Sequence, residues 1–254
     1  MFRIRRIHDD ALPVNREAIR QVQDIIREQF PDAPNRDADD LPGNLRDPFA
    51  QRFRAILHVA ERTDGQVQGF ALVLHVPQLH MAYLDYIATS VRLTSRGIGG
   101  ALYQRVREEA IEAGVKAVLF ECLPDEPAAC RKAVPLAENR ARLRFYENFG
   151  ARPLINNEYT APLSEASDCM PYLVADDLGL GKRLSRKFIQ ESVRAILEHR
   201  YAYLCPPEYV KKVVASFKDD PVLMREPRYV RPEKVVSGAG AVPIPTERIA
   251  LFVN

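Results

Sequence analysis

The chain has 254 residues, of which 46% are hydrophobic and 28% are charged. This composition is typical of a globular protein and excludes a disordered chain, a collagen and a coiled-coil rod. The 36 basic and 34 acidic side chains leave a net charge of +2, which gives no basis for a general binder of nucleic acid or anionic membranes. At roughly 150 residues per domain, the length predicts one large domain or one domain with a substantial appendage.

The sequence favours a cytoplasmic protein without a metal site. Residues 1–7 alternate apolar and basic side chains, unlike the apolar block of a signal peptide, and no apolar run approaches the roughly 20 residues of a membrane helix. The four cysteines are far apart and form no Cys-x-x-Cys pair, which favours reduced thiols over a disulfide framework or a zinc site. They are Cys122, Cys130, Cys169 and Cys205.

The first elements are a strand and an amphipathic helix. Residues 2–7 have the period of a half-buried strand. Apolar side chains then recur at helical spacing up to Pro31, with Asn15 as the candidate N-cap. The segment from 32 to 47 is rich in Asp, Asn, Pro and Gly and predicts a loop.

A β-hairpin and a mixed series of elements follow. Two β-rich runs, 55–60 and 67–76, flank Asp64-Gly65, which predicts the hairpin, and 81–88 predicts another strand. The later elements are helices at 94–113, 138–149, 184–201 and 207–217 and strands at 115–122, 153–155 and 172–175. This order predicts a mixed α/β (α+β) fold.

A glycine-rich turn lies between the strand at 81–88 and the following helix. Residues 96–100 read Arg-Gly-Ile-Gly-Gly at the helix start. Glycines let the backbone approach a ligand, and the first-turn amides and helix dipole favour an anion such as a pyrophosphate. The turn lacks the dinucleotide fingerprint and the Gly-Lys-Ser/Thr of a P-loop. Tight packing of helix against sheet is the alternative role for these glycines.

A second motif lies in the helix at 138–149. Asn139 precedes Tyr146 by seven positions, and Gly150 closes the helix. With the strand, the glycine turn and the buried strand, this order resembles the GCN5-related N-acetyltransferase (GNAT) superfamily over about residues 2–178. The resemblance implies a mixed, mostly antiparallel sheet flanked by helices and an acetyl-CoA-dependent enzyme.

The resemblance also implies how acetyl-CoA is bound. The family signature Gln/Arg-x-x-Gly-x-Gly/Ala aligns with residues 94–99, where Thr94 departs from it. Asn139 would contact the pantetheine arm, and the backbone N–H of Ile87 or Ala88 would polarise the thioester carbonyl. The residues whose amides would hold the pyrophosphate are Arg96, Gly97, Ile98, Gly99, Gly100 and Ala101.

Three further residues are candidates for acid and base chemistry. The resemblance implies that Tyr146 protonates the departing CoA thiolate, and a core aromatic side chain is the alternative. The attacking amine must lose a proton, and Asp85 and Glu121 are carboxylates within apolar strands, where burial is costly without a partner or a function. Orientation towards solvent or pairing with an arginine is the alternative for both.

The length beyond the GNAT-like part predicts an appendage. We expect a domain at 1–178, a two-helix extension at 179–220 and a linker-like tail at 221–254, which ends in the apolar, strand-like segment 249–253. The extension resembles one found in bacterial chains where a GNAT-like region precedes a histone-deacetylase-like domain. Such a domain, or a second copy in a homodimer, is a possible partner.

The predicted function is acetyl transfer from acetyl-CoA to a primary amine, such as a polyamine or lysine, by direct attack in a ternary complex. The acidic residues Asp125 and Glu126 and the segment at 32–47 are candidates to face a cationic amine. The alternative is a non-catalytic CoA-sensing or interaction module that regulates a partner such as a deacetylase-like domain. The identity of the amine and the choice of base stay open.

Overall fold

The computed structural model describes residues 2–31, 33–47, 52–90, 97–127, 136–159 and 171–230. Arg96, Cys130, Cys169 and the predicted segment at 249–253 lie outside these ranges. The described residues divide into two compact units. The first takes those of Met1–Val76 and Leu84–Glu112, and the second takes those of Pro77–Tyr83 and Ala113–Gly240.

The described residues form one seven-stranded mixed sheet. Its strands are β1 (Arg3–Ile7), β2 (Arg54–Glu61), β3 (Val67–Val76), β4 (Met81–Thr89), β5 (Ala117–Cys122), β6 (Arg152–Pro153) and β7 (Tyr172–Asp176). The strand order is β1-β2-β3-β4-β5-β7-β6. Pairing is antiparallel for β1 with β2, β2 with β3, β5 with β7 and β6 with β7, and parallel for β4 with β5.

Seven α-helices accompany the sheet in the described part of the chain. They are α1 (Pro13–Gln29), α2 (Asn35–Asp39), α3 (Leu41–Arg46), α4 (Ile98–Glu112), α5 (Leu136–Glu147), α6 (Arg186–Ala195) and α7 (Pro207–Ser216). A 3₁₀ turn spans Pro77–Leu79, and a π-helical turn, Ile196–Arg200, continues α6.

In the first unit, α1 covers the sheet through an apolar stripe. Ile19, Val22 and Ile26 are buried in one cluster with side chains of β2 and β3. The prediction of Asn15 as N-cap is wrong, because the helix begins at Pro13, whose missing N–H costs nothing in the first turn. The Asn15 side chain instead accepts a hydrogen bond from the guanidinium of a β1 arginine.

The loop predicted at 32–47 is also incorrect, since this segment contains α2 and α3. Ala38, Leu41 and Leu45 are buried at helical spacing and join the core cluster of the first unit. Each helix has at most six residues, too few for the periodicity to stand out from the polar residues and prolines around it.

In the second unit, β5 is buried along its whole length, as its apolar sequence predicts. The parallel pairing with β4 comprises the first three residues of β4, Met81, Ala82 and Tyr83. Helices α6 and α7 confirm the two helices predicted after residue 184 and pack against each other.

The segment 222–230 extends the edge of the sheet at β6. Met224 forms a β-bridge with Leu154, and the Arg225 amide donates to the Pro153 carbonyl at 2.8 Å. The Ile155 amide donates to Leu223 at 3.0 Å. Residues 223–225, near the start of the predicted tail, are therefore held by backbone hydrogen bonds.

Candidate functional site

The glycine turn of the first unit leads directly into α4. Gly97 has φ +94°, a left-handed conformation that favours glycine, and α4 begins at Ile98. The Ile98 side chain is fully buried, which anchors the start of the helix.

Close packing against Gly69 of β3 fixes the position of this helix start. A Cβ atom added to Gly69 would lie 2.7 Å from the Ala88 carbonyl oxygen and 3.1 Å from Ile98 Cγ2. The missing side chain thus lets β3 approach both the end of β4 and the first residue of α4. The predicted carbonyl-polarising residues, Ile87 and Ala88, are both fully buried on this part of β4.

Two glycines of the turn, Gly97 and Gly99, have no such packing role. A Cβ atom added to either would meet no atom of the described residues within 4 Å. In an α-helix the first backbone N–H groups have no intrahelical acceptor, whereas the Ala101 amide already donates to the Gly97 carbonyl at 2.9 Å. Open space beside Gly97 and Gly99, together with these first-turn amides, fits an anionic ligand that approaches the backbone closely.

Both candidate bases are buried. Asp85 on β4 in the first unit is 4% exposed, and Glu121 on β5 in the second unit is 1% exposed. Burial excludes the alternative in which either carboxylate faces solvent.

Glu121 accepts hydrogen bonds from two tyrosines. The Tyr159 hydroxyl donates to Oε1 at 2.6 Å and the Tyr201 hydroxyl donates to Oε2 at 3.0 Å. Burial, and next the charge of Glu121, hold the pKa of Tyr159 well above its ordinary value of 10. Neither tyrosine could be predicted from the sequence, because they are 38 and 80 positions from Glu121 and no local pattern links them to it.

Tyr146 on α5 is fully buried in the second unit. Its ring centroid lies 4.3 Å from that of Phe120 and 5.0 Å from that of Phe145. Burial raises the pKa of Tyr146 well above 10, with a smaller contribution in the same direction from nearby Cys122. The hydroxyl therefore keeps its proton throughout the physiological pH range.

Asn139, about two turns before Tyr146 on the same face of α5, contacts the loop after β5. It is buried, and its side-chain amide donates to the Pro124 carbonyl at 2.8 Å. This hydrogen bond connects α5 to the loop that carries Asp125.

Asp125 is an anchor rather than an exposed loop acid. Its carboxylate accepts hydrogen bonds from Arg225 Nη1 at 2.8 Å and from the Tyr229 hydroxyl at 2.6 Å. Burial alone would raise the pKa of Asp125, but these two donors lower it below its ordinary value of 3.8. The expectation that Asp125 faces an amine substrate is therefore replaced by a role in holding 222–230.

Family comparison agrees with this arrangement of elements. The profile of the Acetyltransferase (GNAT) family matches residues 19–151, just over half of the chain. The chain belongs to this family. The prediction of a GNAT-type acetyltransferase with a mixed, mostly antiparallel sheet is confirmed.

Solved GNAT-like structures resemble this family member at low identity. A GNAT family protein from Desulfovibrio desulfuricans is 18% identical, with 70% of this chain and 100% of that chain covered and a TM-score of 0.48. ElaA from Escherichia coli is 15% identical, with 69% and 99% covered and a TM-score of 0.46. The aminoglycoside 6′-N-acetyltransferase from Enterococcus faecium is 16% identical, with 68% and 96% covered and a TM-score of 0.45. No curated protein matches the chain significantly.

Two features are absent from the described ranges. No helix there combines the length and the hydropathy that a membrane crossing needs. Over the same ranges, no group of three or more His, Cys, Asp or Glu side chains is placed to hold a metal ion.

Proposed function

We propose that this GNAT protein transfers the acetyl group of acetyl-CoA to a primary amine, such as that of a polyamine or lysine, by direct attack in a ternary complex. The observation that carries the proposal is the open, glycine-lined start of α4, where Gly97 and Gly99 leave space that no described residue fills. Membership of the acetyltransferase family supports the same chemistry. The wide spacing of the cysteines supports a cytoplasmic location.

The start of α4 is the proposed anchor for the CoA pyrophosphate. The positive end of a 15-residue helix and its first-turn amides attract an anion. The residues assigned to this contact are those of the turn, Arg96, Gly97, Ile98, Gly99 and Gly100. The Ala101 amide, which was expected to share the contact, is withdrawn from it because it already donates to the Gly97 carbonyl. Asn139 is assigned to the pantetheine arm and the amide of Ile87 or Ala88 to the thioester carbonyl.

The proposed chemistry needs one proton acceptor and one proton donor. Acetyl-CoA supplies an acetyl thioester, whose C–S bond breaks as the amine nitrogen forms the new C–N bond. Glu121 or Asp85 accepts the proton that the amine loses. Because burial makes Tyr146 a weaker acid than a free phenol, we propose that its hydroxyl donates a hydrogen bond to the leaving sulfur, with proton transfer completing a neutral thiol.

Binding is tested by Gly99→Leu, with Gly43→Leu as the matched control. The family signature accepts alanine at position 99, so the test needs a larger side chain. Both positions lie in helices, and a Cβ atom at either would meet no described atom within 4 Å. Leucine favours helices over glycine, so neither variant should lose stability. In titration calorimetry, Gly99→Leu should weaken acetyl-CoA binding at least tenfold, whereas Gly43→Leu should bind like the wild type. Equal affinities in all three proteins would exclude the proposed anchor.

Catalysis is tested by thiol release from acetyl-CoA across a panel of amines. Tyr146→Phe should lower kcat by about 10²- to 10⁴-fold, the usual contribution of a positioned acid or base. Between Asp85→Asn and Glu121→Gln, the variant that loses amine-dependent turnover to a similar extent identifies the base.

The second candidate function, a CoA-sensing module without turnover, has one observation in its favour. Tyr146 is fully buried, which is also what a structural aromatic side chain requires. Acetyl-CoA binding without thiol release for any amine would select this function over the enzyme. Its partner would then be sought among deacetylase-like domains, as the resemblance of the extension suggests.

A further inference from the structure

The C-terminal extension reaches a carboxylate of β5, that of Glu121, through Tyr201. This residue directly follows the π-helical turn Ile196–Arg200, and its hydroxyl donates to Glu121 Oε2. Tyr159, from the segment after β6, donates to the other oxygen, Oε1. Each oxygen of Glu121 therefore receives one phenolic hydrogen bond, and all three side chains are buried.

A third tyrosine extends this cluster to β4. The Tyr83 hydroxyl lies 3.1 Å from the Tyr201 hydroxyl, and Tyr83 pairs with Leu119, two residues before Glu121 on β5. Tyr201 is thus bonded on one side to Glu121 and on the other to a residue of the neighbouring strand. Hydrogen-bonded chains of this kind polarise one another in a low-dielectric interior and fix the orientation of their members.

Other titratable groups of the described residues lie around Glu121. They include Cys205 of the extension and Cys122, which follows Glu121 on β5. Burial raises the pKa of each thiol to about 12, and the charge of Glu121 contributes in the same direction. The buried guanidinium of Arg142 on α5 acts on the pKa of Cys122 in the opposite direction. Tyr209 of α7 faces Tyr159, and its charge would further raise the pKa of that phenol.

Without hydrogen-bond donors, burial would disfavour the ionised form of Glu121 that a base needs. An ionised carboxylate is costly in an apolar interior, and hydrogen bonds to the charged form offset this cost. Phenolic donors can do so without supplying a formal positive charge, which leaves the carboxylate able to accept a proton.

We propose that Tyr201 and Tyr159 are positioning residues that hold Glu121 ionised and oriented to accept the amine proton, so that the extension is part of the catalytic unit. This inference rests on the proposed function, since it selects Glu121 as the base. The proton leaves the amine nitrogen for a Glu121 oxygen as the C–N bond forms, and the leaving sulfur gains the proton of the Tyr146 hydroxyl. Proton exchange with solvent then returns a proton to the Tyr146 oxygen and removes one from Glu121, so atoms and charge balance.

The kinetic test uses Tyr201→Phe and Tyr159→Phe in the full chain. Phenylalanine keeps the buried ring and removes only the hydroxyl. The control is Tyr203→Phe, two positions from Tyr201 and 43% exposed. Loss of one donor raises the pKa of a carboxylate, so we expect the acidic limb of the kcat–pH profile to move upward by about one pH unit. KM for acetyl-CoA should stay within twofold of the wild type, and Tyr203→Phe should match the wild type.

A second readout does not depend on turnover. The Glu121 carboxylate is titrated by NMR in protein labelled with ¹³C-glutamate, with Glu121→Gln to identify its resonance. Its pKa should rise in Tyr201→Phe and in Tyr159→Phe and stay unchanged in Tyr203→Phe.

The outcomes separate the two proposals. An upward shift in both readouts supports the positioning role, whereas active variants with an unmoved acidic limb overturn it and leave the proposed function standing. If the wild-type protein acetylates no amine, the proposed function fails, and the base role of Glu121 fails with it. A loss of kcat at every pH without a shift in the limb or in the carboxylate titration would indicate a structural role and would also overturn the inference.

Discussion

Gly69→Ala should destabilise the first unit and loosen the acetyl-CoA anchor together. The new Cβ would lie 2.7 Å from the Ala88 carbonyl oxygen, about 0.7 Å inside ordinary contact at 3.4 Å. It would also lie 3.2 Å from Thr89 Cα and 3.1 Å from Ile98 Cγ2. Two of these three atoms belong to backbone, which cannot rotate away as a flexible side chain can.

The expected loss in the free energy of unfolding follows from two opposing effects. Overpacking of this kind costs about 1–3 kcal/mol. Replacing glycine within a strand recovers roughly 0.5–1 kcal/mol, because alanine loses less conformational entropy on folding. Because the closest contact is to backbone, we expect the upper part of the overpacking range, about 2–3 kcal/mol. The net loss in the free energy of unfolding is then about 1–2.5 kcal/mol, which corresponds to a fall in Tm of roughly 2–10 °C for a chain of this size.

Urea unfolding followed by circular dichroism measures this loss, with Gly43→Ala as the control that has open space at its Cβ. Acetyl-CoA affinity, measured by calorimetry on the same proteins, should fall in Gly69→Ala because β3 would push away Ile98 at the start of α4. If Gly69→Ala is as stable as Gly43→Ala, the close approach of β3, β4 and α4 is not present in solution.

Two further predictions concern the second unit. Asp125→Asn should lower the free energy of unfolding by about 1.5–3 kcal/mol at pH 7, because the charged acceptor for Arg225 and Tyr229 is lost. The pKa of Asp125 is lowered in the folded state, so this stability is present above pH 3.8 and is lost as the pH falls through the folded pKa. The free energies of unfolding of the wild type and Asp125→Asn should therefore converge in acid. A difference between them that stays constant with pH would contradict the pairing. At pH 8, Cys122 and Cys205 should resist alkylation about 1,000-fold better than a free thiol, because burial raises the pKa of both to about 12. Peptide mapping after brief iodoacetamide treatment checks this, and rapid labelling of either residue in the native protein would contradict their burial.

Local sequence patterns predicted most of the sheet. The alternating start, the Asp64-Gly65 hairpin and the apolar run before Cys122 each correspond to an observed strand, because period and turn chemistry act over a few residues. The helices α2 and α3 were missed because short helices depend on tertiary packing of Leu41 and Leu45 rather than on their own propensity.

Contacts between residues that are far apart in the sequence could not be predicted. Asp125 and Arg225 are 100 positions apart, so no local sequence pattern indicates that this loop carboxylate is buried and paired with an arginine. Glu121 could be identified because a carboxylate within an apolar strand is unusual. Tyr201 carries no such signal, because in the sequence it is only a tyrosine at the end of a helix, and its contact with Glu121 is visible only in the structure. The domain boundaries, the partner domain and the homodimer stay predictions.

Amine-dependent release of CoA thiol is the most direct measurement of the central claim. The purified chain is incubated with acetyl-CoA and a panel of polyamines and lysine derivatives, and thiol and acetylated amine are quantified together. We predict equimolar formation of both products with at least one amine, and loss of both in Tyr146→Phe. Binding of acetyl-CoA with no thiol release for any amine, or thiol release that is independent of amine, would contradict acetyl transfer to an amine as the function of this protein.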